Sequence, residues 1–202
     1  DPLWSRGLGD VYKRQATILD GQMSQPSNAI LIEELLFDSR RLCFPERTLF
    51  FALRAARRNG IDFIPELYTK GVRAFVVENS EVLPFASEYA DACFIKVKDV
   101  LQSLQMLATH HRAQFDIPII GITGSNGKTI VKEWLSQALA TCHRIVRSPG
   151  SFNSQIGVPM SVWQINATHT IGIFEAGISK VGEMDRLEQI IHPTHGILTY
   201  MG

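Results

Sequence analysis

The segment IPIIGITGSNGKT (Ile117–Thr129) decides how this chain is read. Ile117–Ile122 is a continuous apolar run, the pattern of a parallel strand buried on both faces. A glycine-rich turn follows. Beyond it Val131, Trp134, Leu135, Ala138 and Leu139 recur at helical spacing, which predicts a helix with those residues facing inward. A strand that ends in such a turn and opens a helix makes an anion site. The helix N-terminus presents free N–H groups and a partial positive charge, and glycines let the backbone wrap a phosphate without a β-carbon in the way. The candidate cradle is Gly124, Ser125, Asn126, Gly127, Lys128 and Thr129. Lys128 would reach the β- and γ-phosphates of a nucleotide, and the Thr129 hydroxyl would bind Mg²⁺. The strict spacing G-x-x-x-x-G-K-[ST] is not met, because Ile122 stands where its first glycine belongs. The weight rests on context: a buried strand before, an amphipathic helix after, and the further glycines Gly121 and Gly124. The bland alternative is a strand-to-helix turn with a surface lysine.

Downstream, short apolar runs alternate with helical stripes. His143–Val146 and Thr168–Glu175 read as strands, and a final strand is expected in GILTYM. One helix follows Gly157-Val158-Pro159; another carries Met184, Leu187, Ile190 and Ile191 and ends at Pro193. Strands alternating with helices imply an α/β fold with a parallel sheet. In such sheets ligands bind at the carboxyl ends of the strands. Glu175 ends an apolar strand and so stands at that rim, where a carboxylate suits a Mg²⁺ ligand or a water-positioning base. The loop SPGSFNSQIG follows the second strand of this half and brings Ser151, Asn153, Ser154 and Gln155 to the same rim. They can bind substrate, orient the γ-phosphate, or serve as an ordinary surface loop.

Upstream, Thr48–Leu53, Arg73–Glu78 and Cys93–Val97 read as strands, and Phe63, Ile64, Leu67 and Tyr68 mark a helix stopped by Gly71. Asp99 is a candidate cap for a helix striped with Leu101, Leu104, Leu107, Ala108 and His111. Gln114–Pro118 reads as a linker, dividing the chain into units over 16–113 and 114–202. Residues 1–15 have no steady apolar period and read as a non-native leader. With 20 basic and 20 acidic residues, the charge balance argues against binding of nucleic acid by bulk charge, though not against a local basic groove, and no nucleic-acid partner is expected. No apolar run approaches the roughly 20 residues of a membrane helix, so no membrane insertion is expected. Cys43, Cys93 and Cys142 are too far apart for a C-x-x-C site and fit a reducing, cytoplasmic setting. The six histidines lack metal-ligand spacing. The basic run Arg54–Arg58 is a solvated face or an attractor for a phosphorylated substrate.

Together these segments resemble the Mur ligases, ATP-dependent amide-forming enzymes of peptidoglycan precursor synthesis. GITGSNGKT is similar to that family's variant phosphate loop. FNSQIGVP (Phe152–Pro159) resembles its Asn-x-x-Ile-Gly-x-Pro segment, and FEAGISKVGEM (Phe174–Met184) the segment whose glutamate helps bind Mg²⁺. ILTYMG (Ile197–Gly202) resembles its Thr-Asn-Ile-Gly strand end, with Tyr200 in place of the usual Asn. In the first half, DSRRLCFPERTLFFAL (Asp38–Leu53) resembles the signature of the domain that binds the UDP part of the substrate. The likeness is greatest to members that add D-alanyl-D-alanine to UDP-N-acetylmuramoyl-tripeptide, in the form fused to alanine racemase.

The resemblance implies a small α/β UDP-binding domain followed by part of a parallel-sheet P-loop ATPase domain. The rest of that domain, a C-terminal domain and any alanine racemase domain would lie further downstream. It implies ATP and Mg²⁺ as cofactors. Lys128 and Glu175 would be catalytic, Thr129 and Glu175 would hold the metal, and Asp38, Ser39, Arg40, Asn153 and Ser154 would contact the UDP-substrate. Arg40 suits a phosphate or the uracil edge. The rivals are the sister ligase adding the third amino acid, a folylpolyglutamate synthase, a nucleotide switch, and a non-catalytic module that binds only nucleotide or UDP-sugar.

Overall fold

The structure is a computed structural model and describes residues 22–23, 31–55, 58–80 and 88–201. The expected leader, and Ala56 and Arg57 of the basic run, lie outside them. The chain forms two compact units, one ending at Ser103 and the other beginning at Leu104.

The first unit holds β1 (Gln22–Met23), β2 (Glu34–Leu36), β3 (Thr48–Phe51), the short pair β4 (Arg54–Ala55) and β5 (Arg58–Asn59), α1 (Ile64–Thr69), β6 (Ala74–Glu78) and β7 (Cys93–Val97). Its main sheet runs β1-β7-β6-β3-β2, parallel throughout except for β1. β3 is buried along its whole length, as its apolar, aromatic sequence requires. Phe75 stacks on Phe94 with ring centroids 5.2 Å apart and meets Phe50 edge-on, fixing β3, β6 and β7 in one core. β2 has only three residues, too few for any period to show in the sequence.

The next helix, α2 (Val100–Arg112), starts where Asp99 accepts the Gln102 N–H at 2.8 Å. The boundary between units falls inside this helix rather than in the expected linker at 114–118, because its last turns belong to the second unit's own packing. Ala108 is part of the second core, His111 Nε2 meets the Ile165 carbonyl at 2.8 Å, and Arg112 donates to the carbonyls of Ile191 and His192.

The second unit adds β8 (Ile119–Thr123), α3 (Lys128–Leu139), β9 (Ile145–Arg147), α4 (Gly157–Val162), β10 (Ile171–Glu175), α5 (Glu183–Ile191) and β11 (His195–Leu198). The four strands are all parallel, in the order β11-β8-β10-β9. The chain passes from β8 outward to β9, returns as β10, then crosses to the far side of β8 as β11. The strand order therefore reverses about β8, and a ligand crevice is expected at its carboxyl end.

In α3 the tertiary structure overrides the apolar spacing. Lys132 and Ser136 are the buried residues, Val131, Leu135 and Leu139 are half-buried, and Trp134 is 68% exposed. The stripe Thr129, Lys132, Ser136 turns inward because Thr129 and Lys132 both meet Glu175, a charged interaction that apolar periodicity does not report.

Candidate functional site: a phosphate loop facing a buried carboxylate

β8 delivers the glycine-rich loop to the sheet rim. Gly124 has φ +132° and Gly127 φ +86°, both left-handed, so these two positions favour glycine. Gly127 caps α3, leaving the free N–H groups of its first turn beside Lys128 and Thr129. Two neighbouring strands complete the rim. Glu175 pairs in register with Ile122 and Leu198 with Thr123, so the ends of β10 and β11 flank the start of the loop.

Glu175 is fully buried. Its Oε2 accepts the Thr129 hydroxyl at 3.0 Å, its Oε1 lies 2.9 Å from Lys132 Nζ, and its N–H donates to Ser148 Oγ at 3.1 Å. The Lys132 contact is an ion pair without hydrogen-bond alignment, so Oε1 is a buried carboxylate oxygen that receives no hydrogen bond. Lys132 meets its charge. A cation bridging Thr129 and Glu175 would add the directed contact that Oε1 lacks. A hydroxyl and one carboxylate suit Mg²⁺, which completes its shell with water and phosphate oxygens. Among the described residues no cluster of three or more His, Cys, Asp or Glu offers a richer protein cage.

Lys128, expected to reach toward phosphates, folds back here. Its Nζ donates to the Gly124 carbonyl at 2.5 Å. The Ser125 N–H, expected to face a phosphate, donates to the Tyr200 carbonyl at 2.7 Å, because the chain leaving β11 pairs with the loop through an antiparallel bridge between Asn126 and Tyr200. Tyr200 enters through its backbone while its side chain is exposed, so its departure from the family's Asn leaves this contact in place. Thr199 braces the same loop: its Oγ1 lies 3.0 Å from the Thr123 carbonyl and 2.6 Å from that of Asn126.

Asn153 packs against Gly177, two residues beyond Glu175, and its carbonyl accepts the Gly177 N–H at 2.8 Å. It stands beside the Glu175 end of the site. The Ser154 hydroxyl accepts the Gly157 N–H at 3.1 Å, at the start of α4, and keeps its own proton to donate. Gln155 Nε2 donates to the Glu183 carbonyl at 3.2 Å, tying this loop to α5.

In the first unit Asp38 caps a single 3₁₀ turn over Ser39–Arg41 and grips Arg40 from both oxygens, at 2.9 Å to Nε and 2.7 Å to a terminal nitrogen. These hydrogen bonds to Arg40 hold the Asp38 carboxyl at about 2, below the usual carboxylate range. Ser39 is buried, while the Arg40 side chain is exposed. Asp38 thus aims Arg40; of the three residues, Arg40 is the one that faces solvent.

Residues 122–202 match the Mur ligase middle domain. The chain belongs to the Mur ligase family. It is 40% identical over 172 residues to the UDP-N-acetylmuramoyl-tripeptide–D-alanyl-D-alanine ligase of Treponema pallidum, an alignment covering 82% of this chain and 37% of that protein. The crystal structure of MurF from Acinetobacter baumannii has the same fold, with a TM-score of 0.81 at 23% identity over 92% of this chain and 40% of that one. MurF from Thermotoga maritima, solved in complex with ADP, matches with a TM-score of 0.72 at 26% identity over 87% of this chain and 39% of that one. The chain spans about two fifths of the length of curated relatives it matches, 37% and 41% of the first two.

Lys132, Ser148 and Thr199 are the site residues that sequence reading passes over. A helical-wheel reading finds Lys132, which follows Thr129 by one turn and lies on its face. Ser148 and Thr199 act through loop geometry and leave no comparable pattern.

Proposed function

We propose that this chain carries the nucleotide-handling and UDP-substrate-handling parts of an ATP-dependent ligase that joins D-alanyl-D-alanine to UDP-N-acetylmuramoyl-tripeptide. The observation that carries the reading is the Thr129 hydroxyl held at 3.0 Å from the buried Glu175, at the mouth of a glycine loop that bears Lys128. The relatives named for this reaction supply the substrate class.

A carboxylate resists attack by an amine because its oxide is a poor leaving group. Transfer of the γ-phosphoryl of ATP to the substrate carboxylate releases ADP and gives an acyl phosphate. The amine of D-alanyl-D-alanine then adds to the acyl carbon, the C–O bond to phosphate breaks, and the nitrogen loses a proton. The protein's share is positioning and charge neutralisation. Lys128 leaves the Gly124 carbonyl to meet the phosphates, and the helix N-terminus offers its free N–H groups. Thr129 and Glu175 hold Mg²⁺, which supplies charge neutralisation on the phosphate oxygens. Asn153 faces the substrate beside Gly177, and Arg40, held by Asp38, meets the uridine diphosphate of the substrate. The widely spaced Cys43, Cys93 and Cys142 suit a reducing, cytoplasmic setting.

The test is equilibrium binding of ADP and of UDP-N-acetylmuramoyl-tripeptide to this chain, with an assay for D-alanyl-D-alanine ligation. Both ligands should bind, ADP more tightly with Mg²⁺, and no ligation should occur without the portion of the relatives that this chain does not span. Failure to bind ADP overturns the nucleotide site. Ligation by this chain overturns the assignment of the remaining steps to other segments.

A further inference from the structure

Lys132 is a charge that the proposed chemistry does not use. It is completely buried. An ammonium in that position is strongly unfavourable unless it is paired and hydrogen-bonded. Its Nζ donates to the Ser148 carbonyl at 2.9 Å and to the Gly150 carbonyl, and it stands 2.9 Å from Glu175 Oε1. Glu133 Oε1, at 3.3 Å, is the other acid beside it. The two carbonyls belong to the segment that leaves β9 and runs on to Asn153. That segment is tied to the end of β10 twice more, by Ser148 Oγ accepting the Glu175 N–H and by the Asn153 carbonyl accepting the Gly177 N–H. Lys132 thus places its hydrogen bonds on the loop and its charge on the carboxylate. Glu175 is held by an opposite charge while its Oε1 receives no hydrogen bond.

We propose that Lys132 is a positioning residue that locks Glu175 and the 148–153 segment into one unit, so that metal–nucleotide occupancy at Glu175 is transmitted to the loop bearing Asn153. The inference rests on the nucleotide–metal reading of the site. One side chain then joins the phosphate-loop helix, the metal-binding strand end and the substrate-facing loop. Exchanging it should disturb the response to metal more than nucleotide binding itself.

The probes are N-methylanthraniloyl-ADP, titrated by fluorescence with Mg²⁺ or with chelator, and amide hydrogen exchange across 148–153. In the wild-type chain Mg²⁺ should tighten binding, and the Mg²⁺ complex should slow exchange in that segment. Lys132→Met should reduce the Mg²⁺-dependent gain roughly tenfold or more, as loss of a residue that orients a metal ligand does. It should abolish the added exchange protection and leave binding in chelator unchanged. Combined with Glu175→Gln it should cost nothing beyond Glu175→Gln alone, because both act on one carboxylate. Should the methionine variant fail to fold, Lys132→Gln keeps a donor for the carbonyls and should show the same loss. A variant that retains the wild-type Mg²⁺ gain and exchange protection, or losses that add in the double variant, overturns the inference alone. A wild-type chain that binds no nucleotide overturns the nucleotide reading and the inference with it.

Discussion

Thr199 Oγ1 fills the space that a β-carbon on Gly124 would need. The Tyr200 carbonyl lies 3.0 Å from the same point, and Gly124 itself has φ +132°. The phosphate loop is therefore shaped from two sides, by its own backbone and by the chain leaving β11. Gly124→Ala meets both obstacles at once. It should lower stability by about 1–3 kcal/mol, the range for a strained backbone position, and eliminate ADP binding. Urea unfolding and nucleotide titration check the two parts.

Thr199 offers a finer test of the same contact. Its hydroxyl reaches the carbonyls of Thr123 and Asn126, and a methyl group in its place would leave both without it. Thr199→Val should weaken ADP binding about fivefold, the equivalent of one ordinary hydrogen bond, while Thr199→Ser keeps wild-type affinity. Isothermal titration of the two variants separates the hydroxyl from the bulk of the side chain.

Lys128 makes its hydrogen bond to the Gly124 carbonyl, within its own loop. Lys128→Ala should thus change the melting temperature little and weaken ADP binding roughly 10- to 100-fold, the weight of a charged hydrogen-bond donor. Binding of UDP-N-acetylmuramoyl-tripeptide through the Arg40 region should be left intact. Parallel titrations with the two ligands measure this; joint loss would contradict the assignment of Lys128 to the nucleotide alone.

Asp38 gives a pH prediction. Its folded-state value of about 2 lies below the ordinary value of 3.8, chiefly through the side-chain hydrogen bonds from Arg40. The lowered value means that the pair's stabilising contribution is fully present above about pH 4. It is lost as pH falls through about 2. In Arg40→Met the Asp38 titration, followed by carboxyl-carbon NMR, should move up toward the ordinary range.

Much of the second unit was legible because its signals are local. The apolar run of β8, the glycines after it and the helical stripe of α5 each lie within a dozen residues. Glu175 was legible as the polar end of an apolar strand. In α3, by contrast, apolar spacing pointed Trp134 inward, whereas Lys132 takes the buried face. Apolar periodicity reports water-avoiding side chains, and a buried ion pair follows partner geometry instead. Ser154 shows the same limit: that its hydroxyl accepts the Gly157 N–H depends on the loop's conformation, which its polar character does not report.

The sequence by itself determined the strand–turn–helix order, the glycines that permit left-handed turns, and the family to which those motifs point. Tertiary structure alone decided that Glu175, 46 positions beyond Thr129, accepts its hydroxyl, and that Lys132 and Thr199 brace the site from either side. The physical reason is register. Parallel pairing of β10 and β11 with β8 brings distant strand ends to one rim, and that pairing depends on packing across the whole sheet rather than on any neighbouring residues.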